Sequence, residues 1–217
     1  KEIATDVESP SANASKVFGR NVFSLKSLTF APSDQIATPK DYKLGPGDEV
    51  IIDIWGSNQN TIRETISPDG NINIETLGLV YLNGMTVKEA DNYLRRELSK
   101  IYSSIDGKDT DIKLSLGQIR TIQINVMGEV AVPGTYALSS FSTVFHALYR
   151  AGGVNNLGSL RNIYLMRNGK KVATLDVYDF ILKGQTMDDI RLQEGDVIII
   201  PPYEMLVDIQ GNVKRPM

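Results

Sequence analysis

Few residues in this chain could carry chemistry, and their spacing narrows the field further. His146 is the sole histidine and there is no cysteine, so a zinc site lacks its usual nitrogen and sulfur ligands. A serine triad would need His146 beside an activated serine, and no nucleophile-elbow pattern is present. Carboxylates cluster at Asp188-Asp189 and in "DGKDTD", with Asp106, Asp109 and Asp111. Glycan cleavage needs two carboxyls across a cleft, one with a raised pKa, whereas both clusters lie in polar, loop-like sequence where carboxylates stay solvated. "DGKDTD" also lacks the spacing and closing glutamate of a calcium loop. The glycines of "LGPGDEVIIDI" raise the question of phosphate gripping, but that chemistry needs a helix directly behind the loop, and here a strand pattern follows. No catalytic residue, metal ligand or cofactor is assigned.

What remains is recognition. Trp55 is the only tryptophan and ends a strand pattern opposite its main apolar face. Its ring suits either stacking on a sugar or filling a subunit or module interface. Arg161, Arg167, Lys170 and Lys171 surround a second-half hairpin, where they either attract an anionic polymer or solvate an exposed turn. These five residues are the candidate ligand contacts. A net charge of −3, from 23 basic and 26 acidic residues, argues against nucleic acid. No apolar run approaches the roughly 18 residues of a membrane helix.

The elements that must hold these residues follow from periodicity. In "DEVIIDIWG", Val50, Ile52 and Ile54 share one face, and Ile51, Asp53 and Trp55 the other. "TIRETISPDGNINIE" is expected to be a hairpin turning at Pro68-Asp69-Gly70. "MTVKEADNYLRRELSKIY" predicts a helix capped by Thr86 with Glu89 completing the box, its stripe made by Val87, Ala90, Leu94, Leu98 and Ile101. Ile122, Ile124 and Val126 mark a further strand. "STVFHALYRAGG" predicts a helix starting near Ser142 or Thr143 and ending at Gly152-Gly153, with Val144, Phe145, Leu148 and Ala151 inward and His146 outward. Asn168-Gly169 predicts a tight hairpin. "DVYDFILKG" predicts a short helix from Asp176 to Gly184, and "IRLQEGDVIIIPP" a buried final strand. The fold class is α+β, in small tandem modules.

Two internal echoes organise the whole. Gly47-Asp48 and Gly195-Asp196 each precede an apolar strand, and Gly45, Pro46 and Gly47 read as a tight turn with Asp48 bonded to backbone at the strand start. "INVMGEVAVPG" returns as "VDIQGNVKRPM": Gly128, Val130 and Pro133 find counterparts at Gly211, Val213 and Pro216. On this reading the chain stops just inside a third module and is a fragment of a longer protein.

These stretches carry a family resemblance. "YKLGPGDEVIIDIWG" with "SPDGNINIETLGLVYLNGMTVKEA" resembles the polysaccharide export domain of Wza-type outer-membrane capsule exporters. "INVMGEVAVPGTYAL" (with Pro133 and Gly134), "RAGGV", "DVYDFILKG" and "IRLQEGDVIIIPP" resemble the SLBB domain, a soluble-ligand-binding β-grasp. The implied layout is an extended arm over 1–41, an export domain over 42–120, an SLBB domain over 121–204 and the truncated start of a second SLBB domain over 205–217. The resemblance implies a non-enzymatic conduit for a capsular or exopolysaccharide in the periplasm, associated with the outer membrane of a Gram-negative envelope. It implies a homo-oligomeric ring, polysaccharide cargo for which Trp55, Arg161, Arg167, Lys170 and Lys171 become the candidate saccharide contacts, and an inner-membrane polysaccharide co-polymerase as partner. The family's lipidated cysteine has no counterpart here, and any membrane-crossing element is expected outside Lys1–Met217. The rival reading is a periplasmic saccharide-binding or scaffold module that forms no conduit, because a fold alone does not fix function.

Overall fold

Alternating apolar residues bury one strand face at a time, and here they build separate sheets. The computed structural model describes residues 17–23, 37–56, 59–101, 110–184, 189–205 and 207. Asp106, Asp109, Asp188 and the chain-end echo at Gly211, Val213 and Pro216 lie outside the described residues. The chain divides into an inserted unit, Ser33–Thr121, and a split unit that joins Lys1–Pro32 to Ile122–Met217.

In the inserted unit, β1 (Glu49–Gly56) lies between β2 (Asn60–Thr65) and β5 (Thr110–Leu116), antiparallel to both. Val50, Ile52 and Ile54 are buried, while Asp53 and Trp55 fall on the opposite face. A second, two-stranded sheet pairs β3 (Asn71–Ile74) with β4 (Gly78–Tyr81). This corrects the expected hairpin. The turn at Ser67–Gly70 exists, with the Gly70 N–H donating to the Ser67 carbonyl at 2.8 Å. It joins two sheets, however, because β2 pairs back onto β1 and β3 pairs forward onto β4. Helix α1 (Val87–Ser99) opens with the expected box: Glu89 N–H donates to Thr86 Oγ1 at 3.3 Å, and Thr86 N–H to Glu89 Oε2 at 2.8 Å. Its buried stripe is Ala90, Leu94 and Leu98; Ile101 lies past the helix end and is exposed.

The split unit is one five-stranded sheet of β6 (Thr121–Gly128), β7 (Gly134–Ser139), β8 (Ile163–Arg167), β9 (Lys170–Leu175) and β10 (Val197–Ile200), in the order β7-β6-β10-β8-β9. β10 runs parallel to β6 and antiparallel to β8. Counted from β6 the order is 2-1-5-3-4 with the first and last strands parallel, the β-grasp arrangement. A parallel pair needs a long crossover, and everything between β6 and β10, including α2 (Val144–Arg150) and α3 (Val177–Lys183), supplies it. Asn168 and Gly169 both have positive φ, 51° and 73°, as a two-residue turn of this kind requires.

The core of this unit gathers Ile122, Ile124, Val126, Leu148, Ile163 and Ile198. Val22 and Phe23, from a 3₁₀ turn at Arg20–Phe23, are buried in the same cluster. Phe23 packs its ring 5.9 Å from that of Phe145, and Phe18 stacks on Tyr178 at 6.3 Å. The Tyr178 hydroxyl fixes this segment by donating to the Phe18 carbonyl at 2.9 Å.

Candidate functional site

Each Gly-Asp echo is a four-residue turn closed by a buried carboxylate. In the first, Asp48 N–H donates to the Gly45 carbonyl at 3.1 Å, with Gly47 at φ 92° in the third position. Pro46 in the second position and a positive φ in the third specify a type II turn. Asp48 Oδ2 then accepts the Gly45 N–H at 2.9 Å, and Oδ1 accepts the Arg120 N–H at 2.9 Å. Tyr42 and Arg120 complete the shell: the tyrosine hydroxyl lies 2.7 and 2.8 Å from the two oxygens, and Arg120 Nη1 lies 2.6 Å from Oδ2.

The second turn repeats the plan on a different sheet. Asp196 N–H donates to the Gln193 carbonyl at 3.2 Å, Gly195 has φ 78°, and Asp196 Oδ2 accepts the Gln193 N–H at 2.8 Å. The guanidinium now comes from Arg167, whose Nε and Nη2 reach the two oxygens at 2.8 and 2.7 Å. In both places the glycine N–H donates to a neighbouring strand's carbonyl, Ile66 or Gln123, and the aspartate carbonyl accepts an N–H back, from Ile66 or Asn125. These are structural latches. Spacing exposed their glycines and aspartates but not their arginines, which lie 72 and 29 residues away.

The candidate saccharide contacts therefore separate. Arg167 is turned inward and committed to Asp196, a bond that raises its pKa. Lys170 and Lys171 are exposed at the hairpin end, with Lys171 Nζ 4.8 Å from the centre of the Tyr164 ring. Arg161 precedes β8, seven residues and roughly 20 Å of strand from the hairpin tip. It pairs with Asp176 at 3.2 Å and lies 4.5 Å over the Tyr178 ring. No single cationic patch joins all four.

Trp55 ends β1 with 44% of its surface exposed. It lines a shallow, mostly polar depression with Asp53, Gln59, Asn60 and Thr61. The Thr61 hydroxyl donates to Asp53 Oδ1 at 2.8 Å, across the pair that sets Asp53 opposite Thr61 on β2. An aromatic face beside an amide, a hydroxyl and a carboxylate can hold a sugar by stacking and hydrogen bonding. Of the other polar turns, Gly128 ends β6 against β10, and Pro133 leads into Gly134 at the start of β7.

His146 is half-buried rather than outward. Its Nδ1 accepts the Thr143 N–H at 2.9 Å in the first turn of α2, which fixes the neutral ring with its proton on Nε2. Burial lowers its pKa against the pull of Asp189. Asp189 in turn is raised by burial and accepts the Phe145 N–H at 2.9 Å. Asp111 is paired with Arg95. Each of these carboxylates has a structural partner.

Residues 36–115 match the family described as polysaccharide biosynthesis/export protein, and residues 123–200 match the SLBB domain. Over 210 residues the chain is 27% identical to the polysialic acid transport protein KpsD of Escherichia coli, an alignment covering 96% of this chain and 36% of that protein. A second Escherichia coli KpsD sequence is 26% identical over the same length. The chain thus spans little more than a third of the curated relatives it matches.

Proposed function

Because the chain belongs to the polysaccharide export protein family, we propose that it is a non-enzymatic part of the conduit that carries a capsular or exopolysaccharide across the periplasm to the outer membrane. The observation that carries this reading is the order of its parts: an export domain followed by a β-grasp, aligned along 96% of the chain with a polysaccharide transporter. A conduit must hold its cargo weakly, since a tight site would stall transit. The open depression at Trp55 suits that role better than a deep cleft would. In this reading Trp55 stacks briefly on passing sugar rings, and the exposed Lys170 and Lys171 keep the path wet and cationic.

The working form is a homo-oligomeric ring that meets an inner-membrane polysaccharide co-polymerase, which supplies the polymer and the drive. Two measurements test this. Deleting the gene that encodes the chain should abolish surface polysaccharide while polymer accumulates inside the cell; unchanged surface polysaccharide overturns the export role. The native mass and particle images of the full-length protein in detergent should show a closed ring with an axial opening. A stable monomer without an opening overturns the conduit and favours a saccharide-binding scaffold.

A further inference from the structure

The split unit holds a cavity of about 260 Å³ beside the Arg20–Phe23 turn, lined by Arg20, Ser159, Arg161, Asn162, Tyr178 and Tyr203 among others. Arg20 is the unusual member. It is only 7% exposed, yet its Nε and Nη1 have no hydrogen-bond partner. Only Nη2 is engaged, donating to the Gly158 carbonyl at 3.2 Å. A guanidinium cannot escape burial by losing its proton, so its charge demands an anion or several acceptors. Among the described residues no carboxylate supplies one. Asp176 is taken by Arg161, and Glu204, also on the lining, is exposed and makes no bond to Arg20. Burial accordingly lowers the Arg20 pKa.

We propose that this cavity binds the carboxylate of an acidic sugar, one uronate-like unit of a glycan, with Arg20 as the buried counter-charge and Arg161 at the mouth. The carboxylate supplies the acceptors that Arg20 Nε and Nη1 lack, and a charge-assisted bond of this type is the strong kind. The rest of the lining speaks for a sugar rather than a bare ion. Tyr203 offers an aromatic ring, and exposed Asn162 offers an amide for ring hydroxyls. The volume falls just under the roughly 300–1,000 Å³ typical of drug-sized ligands, which suits a single ring. Arg161, 64% exposed and already over Tyr178, can share its charge between Asp176 and an arriving anion. The inference deepens the export reading and rests on it for the source of the glycan.

The test follows the Arg20 Nε–H resonance of the chain, labelled with ¹⁵N-arginine, during titration with glucuronate, glucose and acetate at matched concentrations. Glucuronate should shift it saturably, acetate should shift it far less at the same concentrations, and glucose should leave it in place. Arg161→Gln, at an exposed side chain, should weaken glucuronate about fivefold, the factor expected of one rim ion contact. Glucuronate should also move the ring-proton resonances of Tyr178 and Tyr203, and Arg20→Gln should abolish that movement; if the variant unfolds the protein, the Arg161 variant still decides. No saturable shift overturns the proposal, and so does an equal shift with glucose or with acetate. Surface polysaccharide lost on gene deletion without a glucuronate shift sinks this site and leaves export standing. A glucuronate shift with surface polysaccharide unchanged does the reverse.

Discussion

Asp48 and Asp196 are fully buried, and each is held by the N–H three residues before it and by a distant arginine. Breaking a buried pair by removing one charge leaves the other uncompensated. Asp196→Asn should therefore destabilise the split unit by about 3 kcal/mol in denaturant unfolding; a change under about 0.5 kcal/mol, the usual size at neutral surface positions, would show that the latch is idle. His146 makes a prediction in pH. Its folded pKa lies below the ordinary 6.5, chiefly through burial. The neutral ring's contribution is thus complete above that value and is lost as pH falls, because the unfolded chain takes up the proton first. Charging Nδ1 also removes the acceptor for the Thr143 N–H, beside a helix N-terminus that disfavours cations. Unfolding measured between pH 7 and 5 should show stability falling, and His146→Asn should flatten that slope. Asp189 works oppositely: its raised pKa adds stability at acid pH that is lost as pH rises through the carboxylate range. The same residues show what spacing can and cannot reveal. A Gly-Asp pair before a strand is a local signal, so the turns were legible. Arg20 meets Tyr178 and Tyr203 only through the fold, each more than 150 residues along the chain, and nothing in their neighbourhoods marks them.

At the scale of elements, helices were easier to read than strand partners. Thr86 and Glu89 lie one turn apart, and the box they make depends on nothing else. A strand's alternation tells which face is buried but not which neighbour it joins. That is why Ile62 and Ile72, expected in one hairpin, belong to two sheets. Strand junctions also set the sharpest glycine test. A Cβ on Gly128 would stand 2.2 Å from the Ile200 carbonyl oxygen, where β6 and β10 run parallel, and its φ is 85°. Gly195, at φ 78°, has open space around it. Gly195→Ala should cost only the left-handed backbone, about 1–2 kcal/mol. Gly128→Ala adds a backbone clash and should cost at least about 3 kcal/mol, or prevent folding. Equal losses in thermal unfolding would mean that the β6–β10 junction gives way freely.

Across the whole molecule, the segment before the inserted unit belongs to the core of the split unit. The extended arm expected over 1–41 carries Val22 and Phe23, and nothing in their local sequence says which unit receives them. Phe23 is buried against Phe145, and a Cβ on Gly153 would stand 2.7 Å from its own Cβ. Phe23→Ala should cost about 3–5 kcal/mol, the usual loss for a buried phenylalanine. Circular dichroism should register the loss, with Trp55 fluorescence as the separate report on the inserted unit, since the chain has one tryptophan. An unchanged dichroism transition would show the arm to be dispensable.

This arrangement has a consequence in time. Chains are made from the N-terminus at roughly 5–20 residues per second, so Phe23 emerges many seconds before Phe145, Gly153 or Tyr178 exists to receive it. For that interval Val22 and Phe23 have no seat, while the intervening unit is already complete enough to fold. Whatever escorts the nascent chain must keep Phe23 waiting until Phe145 and Tyr178 have been made.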